Sequence, residues 1–392
     1  MSEVKKVEEI AEKYISDTVE EDADDRPNVI AIMNEAFSDL QIDGELAVSE
    51  DYMPFVRNLK EDTVKGDLYV SIFGGNTANS EYEFLTGSAM AFMPYRAIPY
   101  NTYIKEKSPS ITWNFRQMGY AGNYAVHPYT RSAWSRDEVY PLLGFEEYFS
   151  GGNFEDAQYL RNFISDQSTY EYIIQKYEET REQSDDPFYT FSVTVQNHSG
   201  YQEAQGLIDT NITITDSAVY DEQAEQYINL MKISDDAFKD LVEYFSDVDE
   251  PTVIVMFGDH QPSLPGTFYE KLFQKDSEDY ELQDVVDRYT VPYVIWANYD
   301  IEEEEVDMSS NYLSAYLMKV LDVEMTGYQK FLLDLLDKVP LVTANAYRGD
   351  DGILHELDEK SEYTELLNDY KIIQYNNLFD SKNRVDEFFF LK

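Results

Sequence analysis

Thr252-Val-Ile-Val-Met-Phe-Gly-Asp-His260 is apolar without a break from Val253 to Phe257, then turns abruptly into a glycine, a carboxylate and an imidazole. A strand that is apolar on both faces must be covered on both faces, the condition of a parallel sheet held between two layers of helix. Runs of the same kind recur on both sides of it: VIAIM (29–33), LYVSIF (68–73), YAGNYAV (120–126), FYTFSVTV (188–195) and VPYVIW (291–296). Helical patterns lie between them, and the clearest spans 226–245, with Leu230, Ile233, Ala237, Phe238, Leu241, Val242 and Phe245 on one stripe. The alternation predicts an α/β fold with a central, mostly parallel sheet flanked by helices.

Beyond the carboxyl ends of such strands is where ligands bind. Four of the runs end in groups with catalytic potential: Asn34-Glu35, His127, Gln196-Asn197-His198 and Gly258-Asp259-His260. Singly, each has an ordinary reading. A Glu after a strand caps a helix or meets solvent, and a His there is usually hydrogen-bonded structure. Together they weigh more, because three of the four histidines in the chain sit at strand ends. Asp259-His260 places a hard oxygen and an imidazole side by side, a compact half-site for a metal ion. A nucleotide-binding reading of TVIVMFGD fails for want of a GxxxxGK[ST] partner.

LYVSIF leads into Gly74-Gly75-Asn76-Thr77-Ala78-Asn79-Ser80-Glu81. The glycines allow a sharp turn, and Thr77 or Asn79 can cap a helix whose first turn carries Glu81 and Glu83. The alternative is that Thr77 stands at a helix N-terminus as a nucleophile, where backbone N–H groups favour a phosphate. Its hydroxyl needs a nearby cation to lower its pKa, and Glu35, Asp259 and His260 are available to hold one. The stretch His127-Pro-Tyr-Thr-Arg131-Ser-Ala-Trp134-Ser-Arg136 supplies basic groups: Arg136 to grip phosphate oxygens, Trp134 to pack on glycerol carbons. The plain reading of that stretch is a surface loop with one buried Trp.

Composition bounds the rest. With 43% hydrophobic and 15% aromatic residues in 392, the chain buries a large core. The 33 tyrosines read as ordinary packing, and the sequon matches at Asn197 and Asn211 as coincidence. No apolar run reaches the roughly 18–20 residues that cross a bilayer, and the N-terminus lacks the apolar core of a signal peptide. Zero cysteines exclude disulfides and thiolate chemistry. With 77 Asp+Glu against 30 Lys+Arg, the formal charge of −47 repels nucleic acid and anionic surfaces, so an anionic substrate needs a local cation. Residues 1–25 carry a helical pattern (Val4, Val7, Ile10, Ala11, Tyr14) and an acidic run from Glu20 to Asp25, read as a solvated lead-in; 26–335 form the main domain and 336–392 a small C-terminal α+β subdomain.

NVIAIMNEAFSDL, FGGNTANSEYEFLTG, AVHPYTRSAWSR, FSVTVQNHSGY and VMFGDHQPS, in this order over about residues 28–265, resemble the lipoteichoic acid synthase-like phosphoglycerol transferases of the alkaline phosphatase/sulfatase superfamily. VPYVIWANYD, TGYQKFL and QYNNLFDSKNRV extend the likeness almost to the C-terminus. The resemblance implies an alkaline phosphatase/sulfatase-like fold, and implies that Glu35, Thr77, Asp259 and His260 surround one divalent cation, Mn²⁺ first, with Mg²⁺ or Zn²⁺ as alternatives. It also implies that His127, Trp134, Arg136 and His198 contact the phosphoglycerol group, with phosphatidylglycerol as donor and a polyglycerolphosphate or glycolipid as acceptor. The place implied is the extracellular face of a bacterial membrane, this chain being the catalytic part of a longer, membrane-anchored protein. One departure stands out: some members carry an acidic residue just after the histidine of the HPYTRSAW stretch, where this chain has Pro128-Tyr129.

On this reading Thr77 attacks the donor phosphorus, diacylglycerol leaves, and an acceptor hydroxyl resolves the glycerophospho-threonine, with His198 either protonating a departing oxygen or binding phosphate. Two other readings compete. One is a phosphodiesterase or phosphatase of the same superfamily, with water as acceptor; the other is a non-catalytic envelope protein that binds teichoic acid.

Overall fold

The computed structural model describes residues 3–15 and 26–392. The acidic run Glu20 to Asp25 lies outside the described residues.

The main strands are β1 (Asn28–Asn34), β2 (Thr63–Tyr69), β3 (Ala121–His127) and β4 (Glu147–Ser150). A short antiparallel pair follows, β5 (Tyr159–Leu160) and β6 (Phe163–Ile164). Then come β7 (Phe188–Val193), β8 (Thr252–Gly258), β9 (Thr290–Ala297), β10 (Glu304–Glu305) and β11 (Met308–Ser309). The central sheet has the order β10-β2-β9-β8-β1-β7-β3-β4, with β11 also on β2. Parallel pairing holds from β8 through β1, β7 and β3 to β4. One strand departs from the expected direction: β9, the VPYVIW run, is antiparallel to both β8 and β2. An apolar run reports coverage of both faces, and such a strand is equally well buried in either direction.

Alternation along the strands shows that both faces are packed. Val29, Ala31 and Met33 of β1, with Val253, Val255 and Phe257 of β8, belong to one apolar cluster. Ile30 and Ile32, with Ile254 and Met256, belong to the other. The first cluster is completed by helices Thr77–Thr86, Ser310–Leu321 and Gly327–Lys338. The second is closed by helices Asp166–Arg181, Glu222–Ser246 and Gly266–Phe273. Helix Glu222–Ser246 starts where Asp221 accepts from the backbone of Gln223 and Ala224, and contains the whole of the expected 226–245 pattern.

Two expectations are corrected. LYVSIF is not a strand: β2 ends at Tyr69, and residues 70–73 leave the sheet toward the Gly74-Gly75 turn. The first residues are not solvated either: helix Glu3–Ala11 buries Val7, Ile10 and Ala11 in the first cluster and packs on helix Thr364–Leu378. Their helical spacing is the reason, since three apolar groups on one stripe make a face that water does not favour. Near the C-terminus, β12 (Leu341–Val342), β13 (Tyr347–Arg348) and β14 (Leu354–His355) make a small antiparallel sheet before helix Thr364–Leu378.

Candidate active site

β1 and β8 run side by side in register, Asn34 opposite Gly258, so the residues that follow them emerge together. The two exits touch: a Cβ on Gly258 would lie 1.9 Å from the Phe37 carbonyl oxygen, which explains glycine at this position. Ala36 turns with φ of 50°, and its N–H donates to Asp259 Oδ1 at 2.8 Å. A buried non-glycine residue in the left-handed region stores strain, here where it aims Glu35 and anchors Asp259. The Glu35 N–H is held in turn by Thr194 Oγ1 at 3.0 Å, just beyond β7.

Glu35, Asp259 and His260 are all buried, and each offers one ligand atom within 4.8 Å of the others. His260 Nδ1 lies 2.8 Å from the Gln261 carbonyl and donates its proton there, which turns Nε2 toward the carboxylates. That Nε2 faces Asp259 Oδ2 at 3.2 Å and Glu35 Oε1 at 3.5 Å. Asp259 Oδ2 and His260 Nε2 are buried with no hydrogen-bond partner. Two carboxylates and an imidazole gathered in one buried cluster, with Asp259 Oδ2 and His260 Nε2 left without a hydrogen bond among the described residues, are the hard-oxygen and imidazole set that suits a divalent ion. Burial pushes the Glu35 carboxyl well above its ordinary value, the Asp259 carboxylate adds to the rise, and Arg136 and the Thr77 hydroxyl oppose it.

Thr77 reaches this cluster from the other side. Gly74 at φ 66° and Asn76 at φ 63° turn the chain, and Thr77 is the first residue of helix Thr77–Thr86. Its hydroxyl donates to Glu35 Oε2 at 3.4 Å. Neither Thr77 nor Asn79 is the cap expected from the sequence: Asn76 holds that position without a side-chain bond, and Asn79 Nδ2 donates to the Ala97 carbonyl. Glu81 and Glu83 accordingly fall in the second turn, both buried.

The basic stretch is arranged less simply. His127, at the end of β3, is buried with Nδ1 at 2.8 Å from the Val193 carbonyl; burial and the nearby Arg136 charge hold its pKa well below the ordinary value. His198 is exposed, yet burial of part of its ring lowers its pKa, with the Ser199 carbonyl opposing the shift and His260 adding to it. The Tyr129 ring lies between the two, 6.0 Å from His127 and 6.3 Å from His198, where it stacks. Arg136 is only 1% exposed and gives Nε and Nη2 to Glu81 Oε1, leaving Nη1, which also reaches the Ala133 carbonyl at 3.4 Å. The guanidinium is thus committed first to Glu81, and only its remaining N–H groups on Nη1 and Nη2 are left for the expected grip on phosphate. Trp134 is half-buried against the first apolar cluster at φ 57°.

Three features escaped the sequence reading. Glu81 is the partner of Arg136 and also accepts from Tyr140 at 2.8 Å. Arg161 donates to the carbonyls of Gln196, His198 and Gly200 and so shapes the loop that carries His198. Asp166 lies beneath the site, with Oδ2 accepting from Asn34 and Ser234. Only Glu81 had a legible signal, four residues after Thr77 on the same helical face.

Over residues 27–323 the chain matches the sulfatase family, and it belongs to that family. Individual proteins to which it is similar can also be named. A protein of Rhizobium meliloti (strain 1021), named for a proposed role in cyclic beta-1,2-glucan modification, is 31% identical over 376 residues, 93% of this chain and 56% of that protein. The phosphoglycerol transferase GacH of Streptococcus pyogenes, solved with sn-glycerol-1-phosphate, superposes with a TM-score of 0.75 at 21% identity, over 99% of this chain and 95% of that one. The lipoteichoic acid synthase LtaP of Listeria monocytogenes follows with a TM-score of 0.69 at 19% identity, over 97% and 98%. The chain spans about half the length of the curated relatives it matches. The superfamily and fold expected from the five motifs are both met.

Proposed function

We propose that this chain is the catalytic part of a phosphoglycerol transferase, moving glycerol phosphate from phosphatidylglycerol to a teichoic-acid or glycan acceptor through a glycerophospho-threonine at Thr77. The observation that carries the reading is the convergence of the Thr77 hydroxyl on a buried Glu35, Asp259 and His260 whose Oδ2 and Nε2 lack partners. Glu35, Asp259, His260 and Thr77 would hold one divalent cation, Mn²⁺ in first place. When bound, that ion lowers the pKa of a hydroxyl and offsets phosphoryl charge.

The residues of the chain divide the remaining work. Glu35 turns Oε1 to the cation position and Oε2 to the Thr77 hydroxyl, so the proton leaves the nucleophile toward Oε2 as the Thr77 Oγ1–P bond forms. The P–O bond to diacylglycerol breaks, and that oxygen takes up the proton that Glu35 Oε2 received from Thr77. In the second half an acceptor hydroxyl forms its own O–P bond and gives its proton to His198, which is exposed and neutral near pH 7, as the Thr77 Oγ1–P bond breaks. That proton, passed on from His198, restores the Thr77 hydroxyl. The Arg136 guanidinium, whose charge is felt at Glu35, would add positive charge near the phosphoryl group. A donor presented by a membrane puts this chemistry at the extracellular face of a bacterium.

Intact-protein mass spectrometry after incubation with a phosphatidylglycerol head-group analogue and Mn²⁺ tests the reading. A glycerophosphate adduct is expected on wild type and none on Thr77→Ala, with turnover in that variant reduced by about 10⁴-fold or more. An equal adduct on both would remove Thr77 from the reaction.

A further inference from the structure

Helix Thr364–Leu378 buries Tyr370, Ile373 and Gln374 on its inner side. Its other side carries Asn368, Lys371 and Tyr375, continued by Phe379 at the cap, at spacings of three and four that place them on one face. All four are exposed, Tyr375 by 49% and Phe379 by 41%. Together with Phe92 and Glu359 they line a groove of about 600 Å³. A second hollow of about 380 Å³ continues it along the same face. The Tyr375 and Phe379 rings stand 5.5 Å apart, and Tyr103 meets Phe379 edge-on at 5.1 Å, giving a row of aromatic surface.

The segment that carries Phe92 leads to the nucleophile. Ala89 exchanges two hydrogen bonds with Gln374, Met90 N–H donates to Glu83, and the strap ends at Ala97, whose carbonyl accepts from Asn79, two residues past Thr77. A groove of this size, with aromatic faces and a few polar groups, has the make-up of a ligand site. Asn368 and Lys371 make no hydrogen bond or ion pair among the described residues, and so remain available to a ligand. Lys371 is the single cation of the lining, set against Glu359 and Glu3. A net charge of −47 disfavours an anionic polymer there. Unpaired polar side chains between the rings disfavour an acyl chain.

We infer that this groove binds the neutral glycan of the acceptor, the pyranose faces packing on Phe92, Tyr375 and Phe379 and the hydroxyls bonding to Asn368, Lys371 and Glu359. The inference rests on the transferase reading for what the glycan is doing there, and on the groove alone for the binding.

The test uses unsubstituted neutral cyclic β-1,2-glucan as probe, with calorimetric titration of the whole chain and amide hydrogen exchange over residues 364–379. Wild type and Thr77→Ala are expected to bind it alike and to gain protection in that segment. Tyr375→Ala combined with Phe379→Ala is expected to weaken binding about tenfold, as loss of central aromatic anchors does. Unchanged affinity in the double variant, protection elsewhere only, or no binding to wild type would each overturn the inference. So would protection of 364–379 by phosphatidylglycerol vesicles in place of the glucan. The exchange measurement on wild type stands if the double variant fails to fold. Protection without any transfer activity would keep the groove and defeat the transferase reading; transfer to glucan without protection would do the reverse.

Discussion

Glu81 and Glu83 of the nucleophile helix, and Glu35 and Asp259 at the strand ends, are four buried carboxylates held in opposite ways. Glu81 is fully answered, with Arg136 on one oxygen and Tyr140 on the other. Glu83 accepts from Ser71, Met90 and Ser310. Asp259 instead adds to the cost of charging Glu35, and Asp259 Oδ2 has nothing to accept from among the described residues. The protein therefore spends its polar partners on the helix that carries Thr77 and withholds them where a cation would sit. Satisfied burial marks a brace, and unsatisfied burial marks a site.

That contrast can be broken by substitution. Glu81→Gln removes the carboxylate that pairs with the buried Arg136 guanidinium, and a loss of about 3–5 kcal/mol is expected in denaturant unfolding. A loss under 1 kcal/mol would mean that Arg136 finds another partner. At the other pole, Mn²⁺ at about a hundredfold over its Kd should stabilise wild type by about 2.7 kcal/mol, and Asp259→Asn should lose this. In chelator the same variant should be no less stable than wild type, because one of two repelling carboxylates is gone. Destabilisation there would show that Asp259 is a brace after all.

Glu83 gives the smallest effect and sharpens the comparison by pH. Burial raises its pKa from 4.5 to about 7, with its three donors opposing. A raised folded-state pKa means that the folded protein binds the proton more tightly. The stabilisation is fully present below pH 4.5 and is lost as pH rises through 7. Between pH 4.5 and 8, wild type should therefore lose about 1–3 kcal/mol relative to Glu83→Gln. Parallel stability curves for the two proteins would sink the assignment.

The sequence made the strand-end half of the site legible because each of those residues directly follows an apolar run. Glu35, Asp259 and His260 are ligand types one or two positions past a strand, and parallel pairing brings the exits of β1 and β8 together. What depends on distant pairing was hidden. Nothing local in Arg136 says that its guanidinium is committed to Glu81, 55 positions earlier. Nothing in VPYVIW gives its direction in the sheet, since burial on both faces erases the alternation that would report it. The turn at Thr77 was readable as glycine punctuation, but the cap fell to Asn76 because the chain needed a left-handed residue there more than a hydroxyl. The burial of helix Glu3–Ala11 was missed because the acidic run after it dominated the composition of the segment.

That helix does one more thing. It lies along helix Thr364–Leu378, and Tyr14 touches Phe388 and Phe331 near the other end of the chain. The first and last described segments therefore close the same apolar cluster, and loss of either one opens that cluster to water.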